Sequence, residues 1–183
     1  DLNRPYDTPN ELPRILSVND GVACVFKPAG LPIHPGTPGK RSLVDWLKDN
    51  TKPQLFPVHR LDAPVSGLVL CAAEKGTRTR LTKLFEERSL TKTYLALVHG
   101  RTHKKGIIRK DLKDQRRQRM VSAVTRYKLE AWLGKTSLIS VRPETGRKHQ
   151  IRRHLHMIGH GIVGDQRYRT EERVVVTSER LWL

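Results

Sequence analysis

Apolar and polar positions along the chain fall into short stretches with two different periods. Arg14 to Gly21 followed by Val22-Ala23-Cys24-Val25-Phe26 predicts two short strands joined by an Asn19-Asp20-Gly21 turn, since Asn, Asp and Gly supply the backbone a tight hairpin needs. Lys27 to Gly39 holds four prolines and three glycines and predicts a loop. Ser42-Leu43-Val44-Asp45-Trp46-Leu47 has apolar positions three and four apart, which predicts a short helix with Ser42 as its N-cap. Gly67 to Ala72 is a near-continuous apolar run and predicts a buried strand. Thr77 to Arg88 places Leu81, Leu84 and Phe85 on one side of an amphipathic helix.

The second half is richer in strands. Thr91 to Val98 alternates and contains Tyr94, Thr125 to Trp132 and Thr136 to Val141 predict a strand pair, and 101–120 is a loop or a strand pair. Gly146 to Met157 predicts a helix that Thr145 can cap and Gly159 can end. Strands without regular strand–helix alternation define an α+β fold with a mixed, largely antiparallel sheet. Residues 1–14 carry three prolines and no clear period, and are expected to form an extended arm. Residues 15–183 are expected to make one domain, shorter at its C-terminal end than a complete one.

Charge narrows the function. Over 183 residues, 35 Lys and Arg against 18 Asp and Glu give a formal charge of +17. A surface that positive needs counter-charge, and nucleic acid or an anionic membrane supplies it. No apolar run is long enough to span a bilayer and the N-terminus lacks signal-peptide character. The expectation is an intracellular protein of the cytoplasm or mitochondrial matrix, with no membrane partner. Cys24 and Cys71 sit among aliphatic residues and read as small hydrophobes rather than as a disulfide or metal pair. His149 and His154 lack a Cys or acidic companion, so no metal site is expected.

Three segments carry candidate chemistry. In Val58-His59-Arg60-Leu61-Asp62-Ala63-Pro64, Asp62 lies in a turn before an apolar strand, where a scaffold can present a carboxylate. Taken alone, Asp62 reads as a structural group that caps the turn or bridges to Arg60. Glu144 to Leu155 concentrates Arg147, Lys148, His149, Arg152 and Arg153 around Ile151, and the plain alternative is a solvated basic helix. Gly159 to Tyr168 reads as a tight glycine-rich loop. The stretch 101–120 is the most basic, and its charge suits a phosphate backbone.

The order of these segments reverses the reading of Asp62. Lys27-Pro28-Ala29-Gly30 through Gly36, His59-Arg60-Leu61-Asp62 with Ser66-Gly67, Lys92 through Val98, Thr145 through His154, and Gly159 through Tyr168 together resemble the RluA-type RNA pseudouridine synthases. The likeness runs from about Ile15 to Tyr168. It implies the pseudouridine synthase catalytic fold, with helices and loops flanking the sheet around a central RNA-binding cleft. It also implies isomerisation of uridine to pseudouridine in structured RNA, either rRNA or tRNA, without a cofactor. By the same resemblance Asp62 is the nucleophile, Tyr94 stacks on the base and serves proton transfer, and Arg152 pairs with the aspartate. Arg60 fills the space left by a flipped base, while His59, Ile151, Arg147, Lys148 and His149 bind substrate. Two positions depart from the pattern: Val65 stands where Thr is usual, and Gly161 where Pro is usual. An alternative use of the same fold is a ribosome-assembly factor that grips rRNA without catalysis, and a ribosomal assembly intermediate is a candidate partner. A DNA-binding regulator has only the charge behind it.

Overall fold

The computed structural model describes residues 12–36 and 40–168. All but the end of the expected arm, and everything after Tyr168, therefore lies outside the described residues. The chain divides between Leu90 and Thr91 into two compact units, each with its own antiparallel sheet.

The first unit holds β1 (Arg14–Asn19), β2 (Val22–Lys27), α1 (Leu43–Asn50), β3 (Phe56–Pro57), β4 (Gly67–Ala72) and α2 (Lys75–Glu86). The sheet order is β1-β2-β4-β3. Asn19 pairs with Val22, which leaves Asp20 and Gly21 as the two turn residues. Both adopt positive φ, 48° and 73°, as a mirror-image hairpin turn requires. Along β2 burial alternates strictly, so Ala23, Val25 and Lys27 share the buried face. The period of two thus carries a lysine inward at the strand's end.

Gly67–Ala72 is the strand its apolar run predicts, but it is not buried throughout. Val69 and Cys71 are inside while Leu68 is 57% exposed, because an antiparallel sheet packs one face and leaves the other wet. Helix α1 begins where Ser42 predicts and runs three residues beyond the expected Leu47. Ser42 Oγ accepts the Asp45 N–H at 3.2 Å and Asp45 Oδ2 accepts the Ser42 N–H at 2.9 Å, a reciprocal capping box.

The second unit holds β5 (Tyr94–His99), β6 (Lys105–Arg109), β7 (Leu112–Asp114), β8 (Arg119–Val121), β9 (Val124–Trp132), β10 (Thr136–Pro143) and α3 (Gln150–Met157). Its main sheet runs β5-β10-β9-β6, and β7 and β8 pair as a separate two-stranded ribbon. The basic stretch 101–120 is therefore a set of strands rather than one open loop. Gly161 to Val163 runs beside β5: the His99 N–H donates to the Gly161 carbonyl at 3.0 Å and the Val163 N–H to the Leu97 carbonyl at 2.9 Å.

Helix α3 corrects one expectation. It starts at Gln150, four residues later than its predicted start, and Thr145 does not cap it. The N-cap is His149, in the left-handed region at φ 52°. Thr145 is instead drawn into a buried network, where its hydroxyl donates to Gln150 Oε1 at 2.6 Å and accepts the Val124 N–H at 3.0 Å. At the far end Gly159 takes φ 79° just past the helix, as anticipated.

Candidate active site

Asp62 lies half-buried in the first unit, in the loop between β3 and β4. Both sides of its peptide are fastened. Upstream, the Val58 N–H donates to the Leu70 carbonyl at 3.0 Å, and His59 Nε2 accepts the Leu70 N–H at 3.0 Å. The His59 ring also lies 4.5 Å from the Phe85 ring. Downstream, the Ala63 carbonyl accepts from the Gly30 N–H at 2.7 Å and from Lys27 Nζ at 3.2 Å. The Val65 N–H closes the turn on the Asp62 carbonyl at 3.0 Å. Gly67 completes the exit with φ 148°, and a side chain there would meet Leu61 Cδ1 at 3.6 Å. Arg60 is exposed beside this turn.

Lys27 is the residue that sequence reasoning passed over. The sequence places it at the start of the Pro- and Gly-rich loop without an assigned role, whereas the structure makes it the last residue of β2, on that strand's buried phase. The side chain is fully buried, and its ammonium donates to the carbonyls of Pro28 (2.9 Å), Leu31 (2.7 Å) and Ala63 (3.2 Å). Three donors meet three acceptors, which is what a buried ammonium requires. Burial lowers its pKa to about 8, while the negative charge of Asp62 works in the opposite direction. The loop before α1 and the Asp62 turn are thereby tied to one buried cation.

In the second unit the segment before α3 is held by Gln150. Its amide nitrogen donates to the Val124 carbonyl and to Thr125 Oγ1, both at 2.9 Å. Its amide oxygen accepts from the Thr145 hydroxyl and from the Arg147 N–H at 3.0 Å. All four hydrogen-bonding positions of that amide are used, and the segment that carries Arg147, Lys148 and His149 is pinned to β9. Fully buried His154 extends the network, with Nδ1 2.8 Å from Thr125 Oγ1 and Nε2 2.8 Å from the Lys110 carbonyl. A carbonyl can only accept, so Nε2 carries the proton. Burial lowers the His154 pKa, and the bond to Lys110 offsets part of that.

Ile151 and Arg152 are buried on α3, Arg147 and His149 are half-buried, and Lys148 is exposed. Arg152 grips Asp165 through two parallel bonds of 2.8 Å, the side chains being 8% and 0% exposed. Burial pushes the Asp165 carboxyl up, but Arg152 and the N–H groups of Tyr168 and Arg167 outweigh it and hold the pKa below the usual range. Asp165 therefore joins the basic segment to the glycine-rich loop, a role the sequence did not reveal. Tyr168 closes the group: its hydroxyl lies 3.0 Å from His149 Nδ1 and its ring 5.2 Å from the Arg152 guanidinium. The left-handed backbone of His149 is held by these contacts, and such strain collects at functional sites. Tyr94, half-buried, opens β5 opposite Val141 of β10.

Among the described residues no group of three or more His, Cys, Asp or Glu is placed to hold a metal ion, and no helix is long and apolar enough to cross a membrane.

Comparison with known proteins agrees with this frame. The family described as RNA pseudouridylate synthase matches residues 21–157, and the chain belongs to that family. Among the relatives, "tRNA pseudouridine synthase C" of Haemophilus ducreyi is 34% identical, over 84% of this chain and 73% of its own length. "Ribosomal large subunit pseudouridine synthase C" of Buchnera aphidicola is 30% identical, over 87% of this chain and 55% of its own length. The solved structure of "Human RNA Pseudouridylate Synthase Domain Containing 4" superposes with a TM-score of 0.73 at 26% identity, covering 87% of this chain and 70% of that one. The family is one of isomerases that act on RNA, and RNA is the substrate class it brings with it.

Proposed function

We propose that this protein converts specific uridines of structured RNA, rRNA or tRNA, to pseudouridine, with Asp62 as the nucleophile. The observation that carries the assignment is the anchored turn: a half-buried carboxylate on a backbone fastened from both sides, next to a buried cation. Rigid support of this kind is what a positioned catalytic group needs. Membership of the family supports the reaction class.

In the reaction the bond between N1 of uracil and C1′ of ribose breaks, and Asp62 either attacks the nucleoside or promotes that cleavage. The freed base turns, C5 bonds to C1′, the C5 proton leaves and N1 takes one up. Atoms and electrons balance within one nucleotide, so the chemistry needs no cofactor. Tyr94 stacks on the base and serves proton transfer. Arg152 supplies positive charge that favours the ionised carboxylate. Because a paired uridine must leave its stack first, Arg60 fills the vacated space. His59, Ile151, Arg147, Lys148 and His149 hold the flipped nucleotide and its neighbours. An RNA substrate places the activity inside the cell, in the cytoplasm or mitochondrial matrix, and rRNA in an assembling ribosomal particle is one form it takes.

The test compares the protein with Asp62→Ala on tRNA and rRNA, mapping pseudouridine after chemical derivatisation. Removing a nucleophile should lower product formation by at least about a thousandfold. Identical maps for both proteins on every RNA bound would sink the assignment.

A further inference from the structure

Two basic tracts far apart in sequence are joined in the second unit. Between Arg109 and Val121 six Lys and Arg stand against two Asp, and all six cations are exposed. The ribbon of β7 and β8 occupies most of this stretch, and its faces differ. Leu112, opposite Val121, is fully buried, whereas Lys113 lies opposite Met120 and both are exposed. Opposed residues of an antiparallel pair share a face, so the Leu112 side seats the ribbon and the Lys113 side faces water.

The tip is ordered by its own acid. Asp114 Oδ1 accepts the N–H groups of Arg116 (2.9 Å) and Arg117 (3.2 Å), and Gln118 donates to the Gln115 carbonyl at 2.7 Å. These bonds shape the turn that carries Arg116 and Arg117. At the base, Arg153 Nη1 donates to the Lys113 carbonyl at 3.2 Å and Arg147 Nε to the Ser122 carbonyl at 3.1 Å. Arg147 and Arg153 are thereby laid along the ribbon, and the two tracts become one cationic surface.

We propose that this surface, the β7–β8 ribbon with Arg147 and Arg153, seats the phosphate backbone of a paired stem of the substrate RNA. The inference rests on the RNA-modifying function proposed above, and it names the part of the substrate that the ribbon holds. Surfaces for unpaired strands interleave cations with aromatic rings on which bases stack, and 109–123 contains no Phe, Tyr or Trp. What the ribbon offers instead is guanidinium, ammonium and amide donors. These match the phosphates and 2′-hydroxyls through which paired RNA is bound by shape.

The test measures binding of the full chain to a stem-loop RNA and to an unpaired oligonucleotide of equal length, over a range of salt. Arg116→Gln/Arg117→Gln should weaken stem-loop binding at least about tenfold and flatten the log–log salt slope by about 1.8, the share of two phosphates on a duplex. Lys75→Gln/Arg80→Gln, two exposed cations of α2, serves as the charge-matched control and should change either quantity little. Equal loss in the control would mean that only total charge matters and would overturn the proposal, as would wild-type affinity in the ribbon variant. Equal loss on the unpaired strand would overturn the assignment to a stem. Binding is read without turnover, so its outcome does not depend on the assignment of Asp62. If the wild type forms no pseudouridine while the ribbon variant alone loses the stem, the catalytic assignment fails and the docking surface stands.

Discussion

Lys27 shows how a single side chain can serve a site from inside the protein. Its ammonium is buried away from solvent, and its three carbonyl partners offset that only in part, so its pKa falls to about 8 from 10.5. For a base with a depressed pKa, the unfolded chain holds a proton between pH 8 and 10.5 that the folded chain has released. Stability from this group therefore rises with pH through that window and is lost as pH falls through it. Comparing denaturant unfolding of the wild type with Lys27→Met, the difference should move in favour of the wild type by up to about 3 kcal/mol across the window. A difference that stays flat with pH would show that Lys27 is not buried as described. Asp165 obeys the opposite logic: its charge is kept because Arg152 and two backbone N–H groups reward it.

At the scale of elements, close pairing decides register. Gly106 of β6 sits directly opposite Tyr127 of β9, and a Cβ on that glycine would lie 2.5 Å from the Tyr127 ring. The aromatic ring uses the space that glycine leaves, which fixes β6 against β9 and so fixes where the basic ribbon departs. Gly106→Ala should cost about 1–3 kcal/mol by overpacking, measured as a lowered Tm. The same change in a Tyr127→Leu background should cost less, since the clash is then relieved. Helix α3 gives a second case. A sequence with Thr145 ahead of an apolar run looks like a capped helix, yet the hydroxyl forms its bonds with Gln150 and Val124. Tertiary partners won over the local cap because a buried polar group left unpaired costs more than a cap contributes.

For the whole molecule the +17 charge pulls in two directions. Added KCl screens self-repulsion but also competes with RNA. Raising salt from about 10 to 150 mM should therefore raise the Tm, by about 2–4 °C for each kcal/mol of repulsion relieved, while RNA affinity falls. A Tm that falls instead would show that favourable ion pairs, not repulsion, dominate. The sequence by itself determined the α+β class, most element positions, the family and the identity of Asp62, Tyr94 and Arg152 as candidates. The class and the elements follow from periods of two and 3.6 and from turn residues, which are local, and the family and the three candidates from the resemblance that the ordered motifs carry. Only the tertiary structure decided that Lys27 fastens the Asp62 turn, that Asp165 is the bidentate partner of Arg152, and that α3 lacks its expected cap. It also decided that residues near 110–122 and 147–153 form one cationic surface. Each of these depends on hydrogen bonds between groups distant in sequence, and spacing along a chain does not say which buried donor will find which acceptor.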